Sequence, residues 1–465
     1  MNPELQRNLW LEASPRRIGW AAVAFVGVLA AVWLSSDDAS ASEQLSALGG
    51  AGAFIFFAAA LVWGVRLAGQ SIGSEIGERT WDFQRLSALD PWAMTWGKLF
   101  GATALAWAVG GAGLLVATVA YAAQSGPAET LQFFVSAVAL AVLLQAAGMA
   151  AALVGVRKAR VEGRIATLRS AAGGFFSVVF VLFAIGVASS VSNLFFGGVR
   201  DFTPIQDADA VRFWGSAVDR NLFVMGSLVA FAGWALVAAW RLMRLELQKQ
   251  NGPLYWTAFL LFTAFWAAGQ ATIDVDVTSA EAAGFDPAAL ARWAAAAVVF
   301  LLGAYAAAFA EPADRVRLRR FAAGRDLAHA PAVVPALVFG AVAMAGVLVS
   351  LFALSALPDN DEFTRLDLAL FVGAVLAFVL RDMAVIAYFR FGPRPKRGDF
   401  GAVLALLLLY GLGALVANAV GQAVAVALPN PEAPVVSLIS GLLQTVVIGA
   451  LALRRIRGPE TTAAA

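Results

Sequence analysis

Long apolar stretches recur along the whole chain, and the charged residues gather between them. Twelve such stretches can be marked, at 18–35, 48–67, 99–123, 131–155, 173–196, 221–240, 255–273, 290–310, 333–356, 366–389, 400–428 and 435–453. At 1.5 Å of rise per residue, stretches of about 20 residues cross a hydrocarbon core of roughly 30 Å as helices. The runs are continuous and do not alternate, so they predict helices and not barrel strands. The expected fold is an all-α polytopic membrane protein of about twelve transmembrane helices.

The connections between these stretches alternate in character. Arg7, Arg16 and Arg17 precede the first, whereas the first loop, "SSDDASASEQ", carries no basic residue. The next connection holds Arg66, Arg79, Arg85 and Lys98, and the one after it, "QSGPAE", again holds none. Five basic residues fall on one side (Arg200, Arg212, Arg220, Arg292, Arg365) and Arg381 falls within a span, which leaves 27 of the 33 on the other. By the positive-inside rule the N- and C-termini are expected in the cytoplasm, in a cell (inner) membrane. The first stretch shares features with a signal peptide but is long enough to span, so it is read as a retained helix.

Composition agrees with this class. Of 465 residues, 60% are hydrophobic and 14% charged, with a mean hydropathy of +0.76. A soluble domain needs more polar cover than that. The chain has no cysteine and one histidine, His329, so disulfides are excluded and a His- or Cys-ligated metal is not expected. No GxxxxGK[ST] loop occurs, so no nucleotide or other cofactor is expected on this chain. No nucleophile elbow is visible either. Nothing suggests nucleic acid as a partner; the lipid bilayer is the expected one.

The chain also repeats. "EIGERTWDFQR…DPWAMTWGKLFGA" follows the second span, and "EPADRVRLRRF…APAVVPALVFGA" follows the eighth. Glu75 aligns with Glu311, Glu78 with Asp314 and Arg79 with Arg315. Spans 4 and 10 share a weaker pair, "GMAAALVGVRKAR" and "DMAVIAYFRFGPR". Two diverged six-helix halves are expected, residues 1–250 and 251–465, related by an axis along the membrane normal.

The densest patterned charge lies in "SEIGERTWDFQRLSALDPWAMTWGKLFG", residues 74–101. Ile72, Ile76, Phe83, Leu86 and Leu89 fall near helical spacing, which leaves Glu75, Glu78, Arg79, Asp82 and Arg85 largely on the opposite, water-facing side. That pattern predicts an amphipathic helix at the interface. Asp90-Pro91 then reads as an N-cap with proline in the first turn, restarting a helix that carries Trp92 and Trp96 at headgroup level. The residues alone leave two readings open, a loop with snorkelling arginines or a docking element for a soluble partner.

The order "GERTWDFQRLSALDPWAMTWGK" resembles the stretch after the second span in permeases of type-2 ABC exporters. The pattern there runs acidic–Arg, Thr, a leucine-rich turn, Pro, then Gly-Lys at the head of the third span. Here those positions are Glu78-Arg79, Thr80, Leu86 to Leu89, Pro91 and Gly97-Lys98. The resemblance implies a coupling helix that docks an ABC ATPase subunit, in two copies, with ATP bound by that partner. The implied docking residues are Glu75, Glu78, Arg79, Thr80, Asp82, Arg85, Leu86, Pro91, Gly97 and Lys98. A second docking site at Asp314, Arg315 and Arg317 follows from the repeat. The N-terminal "NPELQRNLWLEASPRR" is similar to the family's amphipathic connecting helix, with Leu5, Leu9 and Trp10 on one side.

Two departures stand beside this. Family members carry six spans and dimerise, whereas twelve are marked here, as in a fused pseudo-dimer. The second copy, "ADRVRLRRF", is basic where the first is mixed. A twelve-span secondary transporter and a non-transport scaffold share the same span layout.

Polar residues within spans are few: Gln145, Asn193, Gln270, Asn418, Gln422, Gln444, Arg381 and Asp382. Arg381 and Asp382 are placed near the cytoplasmic end of their span, where pairing or snorkelling suffices. The loop at 197–220 resembles the place where these exporters fold short re-entrant helices, with Phe213 and Trp214 suited to an interfacial dip.

The topology is testable because the chain lacks cysteine. In sealed cells, cysteines placed at positions 40 and 431 react with a membrane-impermeant thiol reagent, and cysteines at 160 and 318 do not. Labelling at 160 overturns the arrangement.

Overall fold

The computed structural model describes residues 2–161 and 210–457, apart from 13, 37, 78–80, 82, 83, 85–89, 250, 272–287, 325–329, 354–364, 393–397 and 420–423. The described chain is almost entirely helical. Ten helical stretches, 19–33 residues long with mean hydropathies of 1.7–2.4, are long and apolar enough to cross a membrane. They fall on ten of the twelve expected spans. The seventh expected span is an apolar helix of 17 residues, Leu254–Gln270, and the fifth, 173–196, lies outside the described residues. The protein is a multi-pass membrane protein whose described residues are almost all helical.

Contacts divide the chain into two compact units: Met1–Val211 with Ala217–Asn251, and Arg212–Ser216 with Gly252–Ala465. The first unit runs α1 (Pro3–Glu12), α2 (Pro15–Ser35), α3 (Ala41–Phe56), a π-helical turn (Phe57–Trp63), α4 (Gly64–Gly77), α5 (Pro91–Ala102), α6 (Ala104–Ala122), α7 (Pro127–Val161) and α8 (Arg220–Glu246). Here α3 packs along α6, α4 along α7, and α7 along α8. Lipid tails are as apolar as leucine, so such helices associate where small residues let backbones come close. Gly52 of α3 and Gly113 of α6 do this: a Cβ on either would lie 2.5–2.6 Å from the other's carbonyl oxygen.

The π-helical turn is explained by Gln145. Widening the helix at Phe57–Trp63 frees backbone carbonyls, and the buried Gln145 of α7 donates to one of them, Ala60 O, at 2.9 Å. Trp107 Nε1 donates to Gln145 Oε1 at 2.9 Å in turn. An inserted side chain of this kind is one of the few established causes of a helix irregularity.

The second unit runs α9 (Leu254–Gln270), α10 (Ala288–Ala310), α11 (Arg315–Gly324), α12 (Val333–Ala353), α13 (Arg365–Arg390), α14 (Gly398–Leu407), a π-helical turn (Leu408–Leu412), α15 (Gly413–Ala419), a 3-10 turn (Val424–Val426) and α16 (Pro434–Arg457). The same neighbours pair in both units. The first membrane helix packs on the second (α2 on α3, α9 on α10), the second on the third (α3 on α6, α10 on α12), and the fourth on the sixth (α7 on α8, α13 on α16).

Three expectations are corrected. The eleventh span was expected to run as one helix to 428; the described helix reaches Ala419, residues 420–423 lie outside the described residues, and Val424–Val426 form a 3-10 turn. Apart from Asn418 and Gln422 the residues there are apolar or small, so the hydropathy run continues past the helix. Around 210–219 the structure holds a short hairpin, Ala210–Phe213 with Ser216–Asp219, and not re-entrant helices. Its turn needs positive φ at Trp214 (50°) and Gly215 (82°), the combination of a type I′ turn. Trp214 stacks on Phe265 at 4.9 Å and donates its backbone N–H to Gly269 O at 2.8 Å.

Third, Arg381 and Asp382 are not at a span end. Arg381 lies nine residues, about 13 Å, before the last residue of α13, and both side chains are almost wholly buried. Of the two expected arrangements, pairing holds and snorkelling does not. Arg381 donates to Asp382 Oδ1 from Nε (2.9 Å) and Nη2 (2.7 Å), while Tyr305 and Tyr410 donate to Asp382 Oδ2 at 2.6 and 2.7 Å. Arg381 Nη1 also donates to Ala427 O and Gln444 Oε1, at 3.2 and 3.1 Å. Gln444 and Ser440 donate to Val426 O at 2.8 and 2.7 Å. Non-helical backbone inside a membrane is tolerated only when its polar groups find partners. The pair on α13 therefore holds the unwound end of the eleventh span.

Removing one partner of a buried pair leaves an uncompensated charge, at a cost of about 3–5 kcal/mol. Arg381→Leu is expected to lower thermal stability by that amount in neutral detergent. The double variant Arg381→Leu/Asp382→Leu, with no charge left to bury, recovers most of the loss in the same melting experiment.

Candidate functional site

The candidate site lies where the first charged connection leaves the membrane helices, and it begins with the N-terminal helix. In α1 the buried residues are Glu4 and Asn8, one helical turn apart. Leu5 and Leu9 are half-buried, and Trp10, expected on the same side of the helix, is 76% exposed. Glu4 and Asn8 meet Gly97 and Gly101 of α5, also one turn apart. A Cβ on Gly97 would sit 2.7 Å from Glu4 Cβ, and one on Gly101 would sit 2.6 Å from Asn8 Cβ. Glycine is required there because a helix backbone passes at contact distance. Asn2 Nδ2 donates to Ala93 O at 2.5 Å and Asn8 Nδ2 to Gly97 O at 3.2 Å, so α1 is held to α5 at successive turns.

This seating aims Glu4 at Lys98, whose side chain is 1% exposed. Lys98 has three N–H donors and no acceptor, and all three are used. One goes to Glu4 Oε1 at 3.1 Å, one to Glu75 Oε2 at the end of α4, and one to Gln84 Oε1 at 2.8 Å. The ammonium also sits 5.1 Å from the ring centroid of Trp81. Glu4 Oε1 accepts a further bond from Asn8 Nδ2 at 3.1 Å, while Glu4 Oε2 and Glu75 Oε1 accept from Arg7 at 3.3 and 2.8 Å. Two carboxylates thus face two cations, and the cluster is neutral. That closure is what makes burial tolerable, since an isolated buried charge is far too costly to keep. Arg7, about two-fifths exposed, is screened by water and adds less.

Below the cluster lies an apolar core of Ile72, Trp81, Met94, Leu99, Met149 and Leu153. Asp90 caps α5 by accepting from Trp92 N at 2.9 Å, which turns the chain back into the membrane at Pro91. The assembly is a joint of α1, α4 and α5. With every Lys98 proton engaged it is a clamp and offers no ligand site.

The docking residues expected from the resemblance fall into two groups. Glu78, Arg79, Thr80, Asp82, Arg85 and Leu86 lie outside the described residues. Glu75, Pro91, Gly97 and Lys98 are buried within the first unit. That corrects the expectation of Glu75 on a water-facing side: countercharges from α1 and α5 draw it inward. In the second unit, Asp314 caps α11 by accepting from Val316 N (2.9 Å) and Arg317 N (3.0 Å). Arg315 donates to Phe391 O at 2.7 Å, and Arg317 to Glu311 Oε1 at 3.1 Å and Ala330 O at 2.7 Å. Glu311 Oε2 accepts from Ala332 N at 3.0 Å. Glu75 and Glu311 thus do parallel jobs, each tying the end of a second span to the start of the third.

Glu4, Arg7, Asn8, Trp81 and Gln84 were missed from the sequence. One signal was available: a polar pair four apart in α1 and a glycine pair four apart in α5, with a lysine beside the first glycine. Comparison with family models, with curated proteins and with solved structures gave no match.

Lys98→Met leaves Glu4 and Glu75 facing each other without their shared cation. The expected loss is about 3–5 kcal/mol, with α1 released from α5. The checks are a melting curve and a trypsin time course at Arg7, which is cut faster in the variant. An unchanged melting point and unchanged cleavage would contradict the clamp.

Proposed function

We propose that the chain is the membrane-spanning permease of an ATP-driven exporter of the type-2 ABC class. In this reading separate ATPase subunits, two per assembly, dock on residues 71–89 from the cytoplasm and hydrolyse the ATP. The twelve spans form the transport path, both termini face the cytoplasm, and the membrane is the inner one. The two halves together act as a fused pseudo-dimer.

The observation that supports this reading most is the buried joint of Glu4, Arg7, Glu75 and Lys98. A soluble motor can move membrane helices only through a stiff connection, because packed interiors transmit displacement while loose loops absorb it. The joint binds the end of α4, the start of α5 and the N-terminal helix into one body at the root of the segment that resembles a coupling helix. The apolar, charge-poor spans suit a lipid-like or amphipathic cargo.

A secondary transporter is the second reading, and the Arg381–Asp382 centre favours it. Ionisable residues inside a membrane mark transport pathways by default. Here, however, both carboxylate oxygens of Asp382 are engaged, by Arg381 and two tyrosines. That closure suits a structural clasp better than a proton carrier.

The test is recovery of the ATPase. A tagged chain purified from its native membrane brings down a P-loop ATPase, and the double reversal Glu78→Lys/Asp82→Lys loses it. Reversing two charges at a partly buried contact costs roughly 1–3 kcal/mol, about 5- to 150-fold in affinity. Surface changes of this kind alter the permease's own melting by only about 0.5 kcal/mol. Equal recovery with wild type and variant sinks the docking assignment. ATP binding by the purified chain alone sinks the permease assignment, since no phosphate-cradling loop accounts for it.

A further inference from the structure

The second unit contains a cavity of about 240 Å³ among the ends of α10, α12 and α13, beneath α11. Ala308, Val333, Met383, Ile386 and Ala387 line it, and Arg317 and Leu318 of α11 stand at its edge. The lining is overwhelmingly hydrocarbon. The polar side chains at the edge are turned to one another or to backbone: Arg317 to Glu311 and Ala330 O, Arg390 to Asp399 and to the carbonyls of Ala308 and Glu311.

The counterpart in the first unit is full. The offset that sets Glu75 on Glu311 also sets Ile72 on Ala308 and Trp81 on Arg317. The "GMAAALVG" and "DMAVIAYF" alignment sets Met149 on Met383 and Leu153 on Ala387. In the first unit Ile72, Trp81, Met149 and Leu153 belong to one closed core, with Trp81 only 2% exposed. In the second, the isoleucine and leucine shrink to alanines, and the arginine in the indole's place turns away to Glu311 and Ala330. The same alignment exchanges Ala152 for Ile386, so the second unit moves bulk to one wall and leaves the space at Ala308 and Ala387 open.

The size of the space and the charge above it indicate what fills it. Apolar cavities of about 150 Å³ stay dry and take up benzene, whereas pockets for drug-sized molecules begin near 300 Å³. A single alkyl chain or ring is the right scale. Arg317 and Leu318 of α11, "RVRLRRFAAG", edge the cavity, and the next two residues of that helix, Arg319 and Arg320, are exposed. An apolar slot beneath an arginine-rich surface helix matches one ligand chemistry, a hydrocarbon tail with an anionic head.

We propose that this cavity binds the tail of an anionic lipid from the leaflet on the arginine-rich side, with its head at Arg319 and Arg320. At the corresponding place in the first unit the described residues form a closed core. The assignment stands on the second unit alone and does not depend on the exporter reading.

Dodecyl phosphate serves as the probe, titrated into the purified full chain in a neutral detergent, with bound copies counted by native mass spectrometry. Wild type is expected to retain one saturable copy, held about tenfold or more tighter than dodecanol, as two nearby arginines imply. Ala308→Ile/Ala387→Leu, which restores the first unit's residues, loses that copy and melts no lower than wild type. Arg319→Gln/Arg320→Gln keeps the cavity and weakens retention to the level of dodecanol. Should the double filling variant fail to fold, Ala387→Leu alone carries the test with the same expectation. The proposal is overturned by no saturable copy in wild type, by equal retention of dodecanol, or by undiminished binding after filling.

Discussion

An ammonium group cut off from water must be met by charge and by enough acceptors to use every proton, or it cannot stay there. Lys98 is such a group, and the cytoplasmic-facing end proposed for the first unit is built around it. Its three acceptors come from three separate parts of the chain: Glu4 in the N-terminal helix, Glu75 at the end of α4, and Gln84 in the connection. Bringing them together forces α1 onto α5, which in turn requires glycine at positions 97 and 101. Sequence that reads as loop, interfacial helix and membrane helix is thus drawn into one body by the needs of one side chain.

The second unit solves the corresponding problem differently. Its acid, Glu311, meets Arg317 and a backbone N–H where Glu75 meets Lys98 and Arg7. Arginine spreads its charge over a wide fork and satisfies itself on carbonyls, so no N-terminal helix is needed to complete the set. Deeper in that unit the Arg381–Asp382 pair repeats the principle, closing on two tyrosines, a glutamine and a carbonyl of the unwound segment. The Arg381–Asp382 centre is wholly buried, as a medium without water demands, whereas Arg7 and the Glu311–Arg317 pair keep part of their surface exposed. The proposed lipid cavity fits the same contrast: where the first unit fills its core with Ile72, Trp81 and Leu153, the second leaves space beneath an arginine-rich helix.

Much of the architecture was legible because hydropathy measures the property the bilayer selects. Ten spans and the helix start at Asp90-Pro91 follow from apolar run length and turn chemistry alone. What hydropathy could not see was tertiary. The 3-10 turn near the end of the eleventh span follows a mostly apolar run, and the carbonyls of Val426 and Ala427 there are met by Arg381, Gln444 and Ser440, all distant in sequence. The charged connection was misjudged for a related reason. A helical wheel weighs each helix against water, so it set Glu75 outward, whereas its partners Arg7 and Lys98 arrive 68 and 23 residues away along the chain. In α1 the burial of Glu4 and Asn8 was not legible either, because glycines on the facing helix make room for polar side chains there. The Arg381–Asp382 pair was seen in sequence and its span was placed to within one residue at each end; what the sequence did not show was that Tyr305, Tyr410, Gln444 and Ala427 enclose it.

The central claim is that the ion cluster is a stiff joint between the charged connection and the membrane helices. A double-mutant cycle on Glu75→Gln and Lys98→Met, read by reversible unfolding in detergent, tests it directly. Groups that share a buried network couple by about 0.5–3 kcal/mol, and a fully enclosed pair belongs in the upper half of that range. The account predicts a coupling energy of roughly 2 kcal/mol or more between the two substitutions. Additivity within about 0.5 kcal/mol, the behaviour of an exposed ion pair, would contradict it.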